Sequence, residues 1–115
     1  MRNFRKWDIY QNAKTICIGI YNLTQSFPDE EKFGLISQLR RASVSMAANI
    51  AEGAGRNTDK DFKHFLAIAM GSAFEVEALL DLTVDLKLTE PQRAQQIREE
   101  LEIWQKQTNN FMKRL

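Results

Sequence analysis

The run Arg40–Gly55, RRASVSMAANIAEGAG, constrains the fold of this chain more than any other segment. Its apolar positions recur at helical spacing: Leu35, Leu39, Ala42, Met46, Ile50 and Gly53 step by four, three, four, four and three. Most residues of the run are small, so the seam they form is a tightly packed one. Ser45, Asn49 and Glu52 keep the same rhythm on an adjacent stripe, with Arg41 one turn earlier. An amide and a carboxylate beside such a seam are costly unless neighbours satisfy them. The stripe therefore implies a polar network, an interface or a site. Ser72 and Glu75, spaced i, i+3 further along, can meet it, as can Arg40 or Arg41. The reading favoured is a buried network of Arg41, Ser45, Asn49, Glu52, Ser72 and Glu75 that fixes helix register or subunit docking.

Three further amphipathic segments surround this one. Ile9, Ala13, Ile16, Ile20, Leu23 and Phe27 step alternately by four and three, a heptad seam that Pro28 stops. The acids of DEEK suit the start of the second helix, and Gly53–Gly55 read as its stop. Thr58 offers an N-cap with Asp61 three residues on, and Thr89 another, with Pro91 in the first turn and Gln92 completing a capping box. The third helix carries Phe62, Phe65, Ala69, Ser72, Val76, Leu79 and Thr83, widened by Leu66, Ala73 and Leu80. The fourth carries Ile97, Leu101, Trp104, Thr108, Phe111 and Leu115. The pattern predicts helices over about 7–27, 33–54, 59–86 and 90–114 in one domain spanning 1–115. Short loops make neighbours antiparallel, so the expected fold is all-α, an antiparallel up-down-up-down four-helix bundle.

Apolar surface exceeds what one seam can bury. Phe62, Phe65, Leu66, Ile68, Met70, Phe74 and Leu79 cannot all face inward from one helix, and Trp7, Tyr10 and Tyr21 lie off the first seam. Surplus of this kind marks a partner interface and predicts self-association. With 27% charged and 43% apolar residues the balance is that of a soluble globular protein, and no apolar run reaches the roughly 18 residues of a membrane span. MRNFRKWD is basic but is not followed by a signal-peptide apolar stretch, so a cytoplasmic location is expected. The single cysteine, Cys17, excludes an internal disulfide and reads as a small core residue.

Catalytic chemistry finds little support. A di-metal bundle needs paired Glu-x-x-His motifs, whereas His64, the only histidine, follows Asp61 in a single Asp-x-x-His. One cysteine and one histidine leave zinc two ligands short. No nucleophile elbow accompanies His64, and Gly53-Ala54-Gly55-Arg56 lacks the strand and the Lys-Ser/Thr ending of a phosphate loop. No catalytic residue, metal site or cofactor is therefore assigned.

Charge is informative through its distribution. Residues 1–27 carry a net +3 and residues 58–88 a net −3, while the whole chain is +1. A bundle polarised in this way can steer a polyanion to one face or dock against its own copies. The candidate nucleic-acid contacts are Arg2, Arg5, Lys6 and Lys14, then Arg40 and Arg41, then Arg93, Arg98, Lys106, Lys113 and Arg114. Phe4 and Trp7 stand among them as stacking platforms for unpaired bases.

SVSMAANIAEGAGR followed by FKHFLAIAMGSAFEVEALL resembles the bacterial four-helix-bundle proteins first noticed as reading frames within 23S rRNA intervening sequences. The accessory variability determinant proteins of diversity-generating retroelements look like relatives. The resemblance runs nearly the whole chain, through LTQSFPDEEKFGLISQLRRA, the NIAEG run and the final amphipathic helix. It implies a ring-shaped homopentamer, and in the retroelement branch a charged ring that binds RNA or DNA and a reverse transcriptase. Ala47 stands where the family usually has proline, so no kink is expected there, and Trp7 and Tyr10 replace its usual leucine and tryptophan. The resulting expectation is a non-enzymatic homo-oligomeric scaffold or adaptor for nucleic acid or a nucleoprotein. The alternative is a structural protein–protein module without nucleic-acid affinity.

Overall fold

The computed structural model describes residues 2–31 and 34–115. Four helices account for most of them: α1 (Asp8–Thr24), α2 (Leu35–Ala54), α3 (Asp59–Asp85) and α4 (Pro91–Lys113). Single 3-10 turns at Phe4–Lys6 and Asp29–Glu31 precede α1 and α2, and no strand occurs among the described residues. Each helix packs on the next, α4 closes back on α1, and the α2/α3 pair is the most intimate. The body measures 43 × 24 × 20 Å, its long axis close to the roughly 40 Å of a 27-residue helix.

Cross-helix contacts fix the direction of every pair. Trp7 meets Phe111, Asn12 bonds Gln107, and Gly19 lies against Ile97, so α1 and α4 run oppositely. Thr24 with Arg40 and Cys17 with Ser43 do the same for α1 and α2. Ser45 with Ser72 and Gly53 with Phe62 orient α2 against α3. Glu77 with Gln105 and Asp81 with Arg98 orient α3 against α4. The fold is an antiparallel four-helix bundle, and residues 2–8, 52–63 and 107–115 share one end of it.

The predicted seams supply the core. All six seam positions of α1 and its following turn, Ile9 to Phe27, are buried, as are Leu39, Ala42, Met46 and Ile50 on α2. Trp104 is wholly buried, and its indole N–H donates to the Ile9 carbonyl at 2.8 Å. That bond satisfies the one polar group of the largest core side chain and ties α4 to the start of α1.

Helix ends differ from the sequence expectation in instructive ways. α1 stops at Thr24, three residues before Phe27, and Phe27 reaches the core from the turn instead. The hydroxyl of Thr24 donates to the Ile20 carbonyl at 2.8 Å, and Pro28 excludes the helical conformation just upstream. α2 opens at Leu35 behind Gly34; the Phe33 start lies outside the described residues. Thr58 caps α3 as expected, accepting from the Asp61 N–H at 3.1 Å. Thr89 does not cap α4. Pro91 takes the first helical position, which makes Glu90 the N-cap residue, and the Thr89 hydroxyl is buried without a partner. At the other end of that loop, Lys87 adopts φ 60, and Leu88 N–H donates to Thr83 O, closing a Schellman turn on a non-glycine residue.

Gly53 and Gly55 also serve differently from a simple helix stop. Gly55 sits at φ −83, not in the left-handed region. Gly53 is needed for space: a Cβ there would stand 2.7 Å from Phe65 Cβ and 2.9 Å from Phe62 Cδ1. α2 passes Ala47 as one uninterrupted helix. Cys17 is half-exposed on the α1/α2 flank, 3.5 Å from Ser43 Oγ, and not in the core. Because a fixed Cβ and an aromatic ring cannot both yield, Gly53→Ala is expected to cost about 1–3 kcal/mol. A melting temperature lower by roughly 5–15 °C in a circular-dichroism scan would report it; an unchanged one would show that α2 and α3 can separate freely.

Candidate nucleic-acid interface

At the end of the bundle where α1 and α3 begin and α2 and α4 finish, three aromatic rings meet. Trp7 stacks on Phe62 at 5.5 Å between centroids and tilts against Phe111 at 4.9 Å, while Phe62 and Phe111 meet edge to face at 5.8 Å. Phe62 is fully buried, the other two half-buried. Phe62 also abuts Gly53, so all four helices converge on one ring. Trp7 at the N-cap of α1, Phe62 in the first turn of α3 and Phe111 in the last turn of α4 meet because the helices alternate in direction.

Cations surround this hub. Arg2, Arg5, Lys6, Arg56, Lys60, Lys63, Lys113 and Arg114 lie at this end, against Asp8, Glu52, Asp59 and Asp61. Among the described residues the balance reverses at the opposite end, with Asp29, Glu30, Glu31, Asp81, Asp85 and Glu90 against Arg40, Lys87, Arg93 and Arg98. The bundle is therefore polarised along its long axis, a property that segment-by-segment charge only partly displays.

The predicted contacts divide by this geometry. Arg5, Lys6, Lys113 and Arg114 are exposed at the basic end. Arg2 is also there, but its guanidinium is committed: it donates to the Ala54 and Arg56 carbonyls at 3.3 and 2.6 Å, pairs with Asp59 at 2.7 Å, and lies 4.7 Å over Phe62. It clamps the α2–α3 loop. Lys14 and Lys106 are exposed along the sides, Lys14 with its ammonium 5.0 Å over the Tyr10 ring. Arg40 turns toward α1, donating to Thr24 Oγ1 at 2.9 Å beneath Tyr21. Arg41 is exposed in mid-bundle. Arg93 and Arg98 stand at the acidic end, and Arg98 bonds Asp81 and Gln95. Sequence reading left out Arg56, Lys60 and Lys63; their helix-end positions were the available signal.

Between α1 and α4 at the basic end opens a pocket of about 390 Å³ lined by Lys6, Trp7, Asp8, Ile9, Gln107, Asn110, Phe111 and Arg114. Gln107 Oε1 accepts from Asn12 at 2.7 Å, which leaves its amino group to donate. Farther along the same pair of helices, Glu100 borders a small cleft with Asn12, Thr15, Ile16 and Ile103. Partial burial holds its carboxyl above the ordinary carboxylate range.

The stripe on α2 forms a smaller network than expected. Asn49 Nδ2 donates to Ser45 O at 2.9 Å and to Ser45 Oγ at 2.8 Å, and Ser72 Oγ donates to Ser45 Oγ at 2.8 Å. The three are half-buried. Glu52 is not part of it: exposed, it pairs with Arg56 at 3.1 Å one turn on. Arg41 and Glu75 are exposed and line a groove beside Ser45 and Ser72. The register falls between α2 and α3 at their small residues, so the long side chains point past it. His64 is exposed with its ring against the edge of Phe65, and no cluster of metal-ligating side chains occurs among the described residues. Among the described residues no helix is long and apolar enough to cross a membrane.

The molecule is an antiparallel helical bundle with a polar α2/α3 seam and a basic, aromatic end. More particularly, residues 5–110 match the model of the 23S rRNA-intervening sequence protein family, and the chain belongs to that family. Among curated proteins none matches it. Its fold is similar to that of a protein of unknown function from the S23 ribosomal protein family of Bacteroides thetaiotaomicron VPI-5482, seen in a crystal structure at 1.70 Å resolution. The TM-score is 0.81 at 21% identity, over 91% of this chain and 98% of that one.

Two outcomes follow from the network and the cleft. Glu52→Ala is expected to cost no more than about 0.5 kcal/mol, as an exposed i, i+4 pair does, whereas Ser45→Ala, which removes the hydroxyl that Asn49 and Ser72 share and leaves Asn49 only the Ser45 carbonyl, costs about 1 kcal/mol; urea denaturation compares them. For Glu100 the charged form is the penalised one. Folding is therefore relieved as pH falls through the raised folded value and burdened above it. Glu100→Gln should raise the melting temperature at pH 7 and lose that advantage below about pH 4, in a melting series across pH.

Proposed function

We propose that this chain is a non-catalytic, self-associating scaffold that holds nucleic acid on its basic end. The observation that carries the reading is the gathering of Arg5, Lys6, Arg56, Lys60, Lys113 and Arg114 around one aromatic hub while the far end is acidic. Such a dipolar body aligns a polyanion with one end and repels it from the other. Each phosphate neutralised adds to affinity through counterion release, so a few cations per copy become effective when copies are arranged around an axis.

Self-association has its own support. On the outer side of α3, Ile68 and Leu82 are 40% and 49% exposed, with Gly71, Glu75 and Ala78 between them at helical spacing, and Leu86 at the C-cap is 57% exposed. A stripe of this kind on a small bundle is what a second copy covers. The homopentamer implied by the resemblance would set five basic ends side by side. A nucleoprotein partner, such as a reverse transcriptase bound with its RNA, fits the same surface. The 23S rRNA in the family's description agrees with the nucleic-acid reading without establishing it.

Fluorescence anisotropy of labelled RNA and DNA across a salt series tests the proposal. Micromolar or tighter binding is expected, with a slope of about −0.7 per phosphate contact on single strands. The double variant Lys6→Glu, Arg114→Glu should abolish it, and Arg93→Glu at the acidic end should not. Absence of binding at low salt would leave the protein-facing module as the reading. Native mass spectrometry at micromolar concentration should show more than one chain, and Leu82→Asp should reduce the copy number.

A further inference from the structure

The pocket between the start of α1 and the end of α4 has a composition that charge alone does not explain. Trp7 and Phe111 give it an aromatic wall. The amino group of Gln107, the exposed Asn110 amide and the Asp8 carboxylate supply donors and acceptors along one side. Lys6 and Arg114 stand at the same opening. A bare phosphate would be opposed by Asp8, and a purely apolar ligand would strand two amides and a carboxylate. A ligand that uses every one of these groups is flat and aromatic, bears both donors and acceptors on its edge, and is tethered to an anion.

We infer that this pocket receives the base of an unpaired nucleotide, with the Trp7 indole against its face, Phe111, tilted 55° from that indole, at its edge, and its 5′ and 3′ phosphates held by Lys6 and Arg114. The inference rests on the nucleic-acid reading and deepens it: the basic end distinguishes unpaired from paired nucleotides. At about 390 Å³ the space lies within the range of small-ligand sites. Asp8 adds a preference, because a carboxylate accepts from amino and imino N–H groups of the Watson–Crick edge. In a duplex those edges are consumed and the face is stacked, so a paired base cannot enter. Stacking on aromatic side chains is a sequence-tolerant contribution, and the edge groups then sort bases within it.

The test uses the full chain and three labelled ligands of equal length: a single strand, its duplex, and an abasic sugar-phosphate strand, each as RNA and as DNA. The single strand should bind at least about fivefold tighter than the abasic strand, and should quench tryptophan emission where the abasic strand does not. Asn110→Ala, a surface change that leaves the melting curve in place, should lower single-strand affinity and leave abasic binding untouched, whereas Lys6→Ala should weaken all three. Equal affinity for the three ligands, with Asn110→Ala silent, would overturn the base pocket while the nucleic-acid reading stands. If none binds at low salt, that reading falls and the pocket falls with it.

Discussion

The close approach of α2 and α3 at Gly53 is the constraint on which the rest of this structure depends. A helix of small residues lets its neighbour's Phe62 and Phe65 sit where side chains would otherwise stand, with the Phe65 Cβ and the Phe62 ring so close that only hydrogen fits at position 53. Phe62 is thereby pressed into the centre of the bundle end, where Trp7 and Phe111 close over it. The Ser45–Ser72 hydrogen bond farther along the same interface sets the register. Two hydroxyls and an amide can be accommodated at a half-buried seam because they satisfy one another. A charged side chain in their place would lose solvation without a matched partner, and the structure keeps Glu52 outside.

The electrical polarity of the molecule comes from side chains and not from the helices. With antiparallel neighbours, two helix N-termini and two C-termini share each end, so the macrodipoles largely cancel. The field at the basic end is that of its exposed lysines and arginines, screened over about 10 Å at 0.1 M salt. It is a short-range guide, matched in reach to the proposed hold on a polyanion beside the aromatic pocket. Arg2 illustrates how the same chemistry can be used internally: its guanidinium is spent on two carbonyls and a carboxylate of the α2–α3 loop, and it stabilises the end that its neighbours present.

The fold was legible in the sequence because the seams of all four helices are periodic and their small-residue run permits one packing mode. Periodicity reports which face is inward, so Ile9 to Phe27 and Leu39 to Ile50 read correctly. It does not report how two elements compete for one residue at a boundary. Thr89 has the side chain of a cap, yet Pro91 fixes the start of α4 and makes Glu90 the cap residue instead. Cys17 lies on an apolar helix but one step off the inward face. The candidate site was legible in part for the same reason. Lys6, Lys113 and Arg114 could be named from charge, but their meeting with Arg56 and Lys60 depends on helix direction. Gln107 and Asn110, ordinary polar residues on a polar helix face, acquire significance only from the pocket they border.

Stability and the proposed recognition share residues at this end of the bundle, and that sharing shapes how the site can vary. Phe62 and Gly53 hold four helices together, and changes there alter the scaffold before they alter any contact. Trp7 and Phe111 belong to both, since each contacts Phe62 and each lines the pocket. Lys6, Asn110 and Arg114 are exposed, and substitutions at such positions usually change stability by less than about 0.5 kcal/mol. Under the proposed reading, specificity is therefore set at this rim while the hub stays fixed, so that one four-helix frame can carry different ligand preferences.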